Sequence, residues 1–131
     1  MANIVNITTV NDGSKNLVVH VYLESDGSTG ELADEVLIDP ADYGLPSTSR
    51  LVIEHIAYNF SGFSSTIEFD TGLVEDKMIW VLGENSNSAD FDRISGLKDR
   101  SGVDGTGKIQ ITTNGFLTAG DKGSILLHVR K

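Results

Sequence analysis

The chain has no cysteine. That absence removes disulfides, thiolate metal sites and cysteine nucleophiles together. It leaves the compartment open, because a cysteine-free domain is stable in either redox state. Proline is almost missing too. Pro40 and Pro46 are the only two, and both lie in the turn-rich segment 39–50. No stretch approaches the roughly 18 apolar residues of a membrane-spanning helix. The opening residues, Met1-Ala-Asn-Ile-Val-Asn-Ile, have no charged region leading into a long apolar run, so they do not read as a signal peptide. A leaderless product of the cytoplasm is expected, with no membrane partner. Positive charge is scarce: 10 Lys and Arg stand against 19 Asp and Glu, a formal net charge of −9. Phosphate backbones repel such a chain, which argues against nucleic acid.

What is present is ordinary for one soluble domain. There are 131 residues, 39% hydrophobic and 22% charged, enough to bury roughly two thirds of the extended chain's surface. A single domain over residues 1–131 is expected, with no linker or repeat. The charge is unevenly placed. Residues 24–76 hold twelve acids against Arg50 alone, a balance of −11; residues 93–131 hold seven bases against three acids, a balance of +4. Opposite patches of this kind support contacts between subunits. The plainer reading is a solvated surface.

The pattern along the chain is nearly all β. Leu17, Val19, Val21 and Leu23 alternate with Val18, His20, Tyr22 and Glu24, the period of a half-buried strand. Ile4–Val10 precedes it across an Asn11-Asp-Gly-Ser turn. Glu35–Ile38 is short and stopped by Asp39-Pro40. A helical turn fits only around Ala41–Gly44. The segment Arg50–Phe60 is apolar on both faces, as in a central strand covered on two sides. In Ser65–Asp70, Ile67 and Phe69 point inward. Lys77–Gly83 is a buried run, and Glu84–Asp90 reads as a polar loop. Phe91–Ile94 is short and extended. Ile109–Thr113 and Ser124–Arg130 are strands joined by a loop rich in Gly, Asn and Asp, and the last strand runs to residue 131 without a tail. These segments predict an all-β, single-domain antiparallel β-sandwich, jelly-roll-like, with eight to nine strands.

Residues that could carry chemistry each have a plainer role. Alternation places His20 and His128 on polar faces, and His55 between Ile53 and Ala57 near the core. No Gly-x-Ser-x-Gly elbow accompanies them. The pairs Asp12-Gly13, Asp26-Gly27 and Asp104-Gly105 lack the ligand spacing of a calcium loop and read as turns. Gly102–Lys108 lacks the Walker spacing. Asp34/Glu35 and Glu75/Asp76 are sequence neighbours, which a strand would point to opposite faces. Trp80 sits in an apolar run and is expected in the core. Tyr22 and Tyr43 are the better exposed rings. No catalytic residue, cofactor or metal ligand is assigned. The residues offered for an interface are Lys98, Arg100, Tyr22 and Tyr43.

One succession goes beyond composition. It runs Arg50-Leu-Val-Ile-Glu-His-Ile-Ala-Tyr-Asn-Phe-Ser-Gly-Phe, then Thr66-Ile-Glu-Phe-Asp, Phe91-Asp-Arg-Ile-Ser-Gly-Leu, Gly107-Lys-Ile-Gln-Ile-Thr-Thr-Asn-Gly-Phe and Gly120-Asp-Lys-Gly-Ser-Ile-Leu-Leu-His-Val-Arg-Lys. This resembles small tailed-phage virion proteins of the capsid decoration, or cement, type, over roughly residues 50–131. Phe69 stands where the family favours Trp, and no shared site residues map onto the chain. The resemblance implies a jelly-roll-like sandwich that forms a homotrimer on the outside of an icosahedral capsid, with the major capsid protein lattice as partner. The protein would be made in the host cytoplasm and work in the virion without chemistry. A tail or baseplate component, and a carbohydrate-binding module of the same fold texture, are the rival readings.

Overall fold

A computed structural model of the chain describes residues 3–46, 50–70, 77–99 and 105–131. Among them ten strands occur: β1 Ile4–Asp12, β2 Asn16–Glu24, β3 Glu35–Ile38, β4 Val52–Ser61, β5 Ser64–Phe69, β6 Lys77–Leu82, β7 Asn85–Asp90, β8 Leu97–Lys98, β9 Ile109–Asn114 and β10 Lys122–Arg130. The larger sheet has the order β1-β2-β10-β4-β7, with β8 also on β4; the smaller has β3-β9-β5-β6. Every pairing is antiparallel. From β2 onward the chain changes sheet at nearly every connection, and only β5–β6 and β7–β8 stay within one sheet. Two interlocked Greek keys result, which is the jelly roll.

Alternation builds the core. Leu17, Val19, Val21 and Leu23 of β2 are fully buried, as are Ile125, Leu127 and Val129 of β10. Opposite them lie Ile67 and Phe69 of β5 with Ile109 and Ile111 of β9. One end is closed by aromatic rings. Phe63 sits 4.8 Å from Phe60 and 4.6 Å from Phe116, centroid to centroid.

The structure corrects several expectations. Glu84–Asp90 is not a loop: Asn85–Asp90 forms β7 against β4. Its polar composition suits an outer strand with little apolar surface to bury. Phe91–Ile94 is not extended; Phe91 is buried and a 3-10 turn follows at Asp92–Ile94. The helical turn expected around Ala41–Gly44 is present, as the 3-10 turn Pro40–Tyr43, capped by Asp39, whose carboxylate accepts from the Ala41 N–H at 3.1 Å. β4 is central in its sheet, yet among the described residues protein covers it on one face only. Tyr58 packs inward against the core, while on the other face Ala57 is half-buried and Asn59 is exposed.

Candidate functional site: the open face of the larger sheet

The outer face of the larger sheet is assembled by register. Across β2, β10 and β4, one row holds Tyr22, Ser124 and Asn59. The next holds His20, Leu126 and Ala57, and the third holds Val18, His128 and His55. β1 extends these rows with Asn6, Thr8 and Asn11; β7 extends them with Ser86, Ser88 and Asp90. All three histidines of the chain therefore share one face.

His55 arrives there through a bulge. The register between β4 and β10 shifts at His128/Val129, so His128 faces His55 while Val129 faces Ile53. Strict alternation would put His55 with Ile53 on the inner side. The extra residue turns it outward instead, half-buried, beside His128 and Asp90. His20 and His128 lie on the outer face as their alternation predicts. Opposed pairs on neighbouring strands bring their Cβ atoms to about 5 Å. The outer members of a three-strand row stand about 10 Å apart. Among the described residues no three His, Asp or Glu are placed to hold a metal ion.

The centre of this face is uncharged. A shallow depression of about 270 Å³ lies over His20, Ala57, Tyr58, Asn59, Ser86, Asn87, Ser124 and Leu126. Leu126 is 38% exposed within it. Charge gathers at the two ends. Glu24 opposes Lys122 at one. At the other, Arg130 lies 3.9 Å from Glu54 and opposes Val52, which also faces Lys98 of β8. The arrangement offers hydroxyl, amide and imidazole groups around an apolar centre, suited to docking against another surface.

The four interface candidates separate. Tyr22 and Lys98 share this open face, at its opposite ends. Tyr43 does not: it packs against the core, and its hydroxyl is 3.2 Å from Thr9 Oγ1. Arg100 lies outside the described residues, as do Glu75, Asp76, Asp104 and the start of the Gly102–Lys108 segment. The rest of that segment pairs with Asp70. Thr106 donates its hydroxyl to Asp70 at 2.7 Å, and the Asp70 N–H donates to the Lys108 carbonyl at 3.0 Å. Trp80 is not a core residue. It meets Phe91 edge-on at 4.9 Å but stays 41% exposed, because β6 is an outer strand.

Carboxylates organise the loops at one end of the sandwich. Asp26 accepts from the Thr29 hydroxyl and from the N–H groups of Thr29 and Ser28 at 2.7 and 2.8 Å. Those bonds, the Thr29 hydroxyl foremost, lower its pKa to about 2. Asp26-Gly27 is thus a turn, as is Asp12-Gly13, where the Gly13 N–H donates to the Asn16 carbonyl at 2.8 Å. Glu31 joins two loops. Partial burial works against its ionisation, but it accepts from the N–H groups of Phe116 and Gly115 at 2.8 and 2.6 Å and from the Thr113 hydroxyl at 2.9 Å. These donors prevail and hold its pKa below the usual glutamate value. Asp34 and Glu35 do not act as a pair; Asp34 meets Thr112, whose hydroxyl donates to it at 3.4 Å.

Sequence reasoning missed the gathering of the histidines and the Glu31 clamp. Both join residues far apart in the chain, and only pairing register could have revealed the first. Comparison with known protein families, characterised proteins and solved structures finds no match to this chain.

Proposed function

We propose that the chain is a non-enzymatic structural protein of a tailed-phage virion, one that decorates and stabilises the outer surface of the icosahedral capsid. A jelly roll hosts many functions, so the fold does not choose among them. The strand and turn succession over residues 50–131 supports the virion reading. The observation that carries the docking role is the open face of the larger sheet. It is broad and uncharged at its centre, in a chain of net charge −9. Such a face suits attachment to a protein lattice. The mechanism is mass action: a molecule that binds only the assembled lattice stabilises it, and many copies add their contributions. Association of three copies would add avidity by spanning neighbouring capsomers. A tail or baseplate position uses the same surface. The carbohydrate-binding reading has less support, since Tyr22, Tyr43 and Trp80 lie on different parts of the fold and form no shared platform.

The test is a capsid prepared without this protein. It should assemble, yet release its genome at lower temperature or under milder osmotic shock. Adding back the purified chain should restore resistance saturably, because lattice sites are finite. Equal robustness of the bare capsid would defeat the proposal.

A further inference from the structure

Among the described residues the sandwich has four outer strands of four or more residues: β1 and β7 in the larger sheet, β3 and β6 in the smaller, besides the two-residue β8 next to β7 on β4. Outer strands expose unpaired N–H and C=O groups, and proteins blunt them with short length, charge, proline or cover. β3 has four residues and follows Asp34. β7 is polar apart from Ala89, and β6 begins at Lys77. β1 is different. It has nine residues, the longest of the four. From Asn3 to Asn11 it contains no charge, proline or glycine. Its one irregularity, at Val10, leaves Ile4–Thr9 regular. Only Val5 in it is half-buried, and Ile4, Ile7 and Val10 are 42%, 41% and 59% exposed.

We infer that β1 is the surface on which two copies of this chain pair, strand against strand, antiparallel about a two-fold axis through Ile7. Charge favours this occupant. Two copies of net charge −9 repel wherever their acids meet, and β1 from Asn3 to Asn11 carries none. The sequence is self-complementary about that axis. Over the regular stretch Ile7 meets Ile7 of the second copy, Val5 meets Thr9 and Asn6 meets Thr8, with Ile4 at each end next to the bulged Val10. An axis at Asn6 would set Ile4 against Thr8, and one at Thr8 would set it against Asp12. Only the Ile7 axis sets Ile7 against itself and brings Ile4 and Val10 to the same ends of the pair. The pairing would merge two larger sheets into one continuous sheet and supply the missing backbone partners. It is independent of the capsid proposal. It is also compatible with three-copy association, because an icosahedral lattice has local two-folds between its local three-folds.

The full chain tests this directly, since it has no native cysteine. Under mild oxidation Ile7→Cys should form a disulfide-linked pair. Thr9→Cys should not. The register leaves the two Thr9 positions about 13 Å apart along the strands, beyond the roughly 7 Å reach of a disulfide. In light scattering the mass of the native protein should double with concentration. Ile7→Lys should abolish the doubling while circular dichroism stays native, since Ile7 is already 41% exposed. The inference is overturned if Ile7→Cys fails to cross-link, if Thr9→Cys cross-links equally, or if doubling is absent or survives Ile7→Lys. Capsid rescue by the native chain would read out separately, so either proposal can fail without the other.

Discussion

Phe60 lies against Gly123. The two are direct partners across β4 and β10, and the Phe60 ring occupies the space where a side chain on Gly123 would stand. A Cβ there would also come within 2.8 Å of Phe63 Cζ. The buried glycine leaves room for the aromatic cluster that closes this end of the sandwich. Gly123→Ala should therefore cost about 1–3 kcal/mol through overpacking. Urea unfolding should show a lower midpoint at unchanged slope. An unchanged midpoint would mean that the rings move aside freely.

Glu31 ties the loop after β2 to the loop after β9. Glu31→Gln keeps one acceptor but turns an amide toward backbone donors. A loss of about 1–2 kcal/mol is expected, from weakened hydrogen bonds at a partly exposed site. Hydrogen exchange at the Gly115 and Phe116 amides should quicken with it. If those amides stay protected, the clamp is not what holds the loop.

The pH dependence follows in sign from two depressed carboxyls. Asp26 falls from its ordinary 3.8 to about 2, and Glu31 falls below 4.5. In each case the unfolded chain binds a proton more readily than the folded one. Their stabilisation is therefore complete above the unfolded values and is lost as pH drops through the folded ones. Stability should decline from about pH 4.5 downward. Asp26→Asn should flatten the part of that decline between 3.8 and about 2. An acid unfolding profile identical to the parent's would refute the assignment.

Single changes of His20, His55 or His128 to Gln should leave the fold and any capsid rescue intact. His55 looks costly from its apolar neighbours in sequence. Its place on the outer face reduces the expected loss to within about 0.5 kcal/mol, as for other surface substitutions. A folded variant that still bound capsids yet lost rescue would point to chemistry at the histidine row.

Lys98 stands at the charged end of the open face. Reversing it to Glu, alone or with Arg100, should weaken decoration of capsids. Raising salt should slow binding more than it releases bound copies, because rim charges act mainly on association and are screened beyond about 8 Å at physiological salt. Binding rates indifferent to both changes would leave the charge segregation as a solvated surface only.

Much of the fold was legible in the sequence because alternation is a local signal. The buried Leu17, Val19, Val21 and Leu23 were assigned to one face by a period of two, and Ile67 and Phe69 were placed inward the same way. β7 escaped detection because Asn85–Asp90 carries no apolar alternation. It is a strand because β4 supplies its hydrogen bonds, and that partner is remote in sequence. Trp80 read as core from its apolar neighbours and proved half open, since nothing in a local run says that a strand lies at an edge.

The sequence by itself determined the fold class, the inner face of most strands and the turns at Asp12-Gly13 and Asp26-Gly27. These depend on backbone geometry and nearest neighbours. Tertiary structure decided which strands lie side by side. It thereby decided that the three histidines share one face, that Glu31 reaches Phe116, and that β1 is left at an edge. A single inserted residue in β4 was enough to put His55 on the outer face, where strict alternation from Ile53 would have turned it inward. Bulges of that kind are set by pairing across the sheet, and no periodicity within one strand records them.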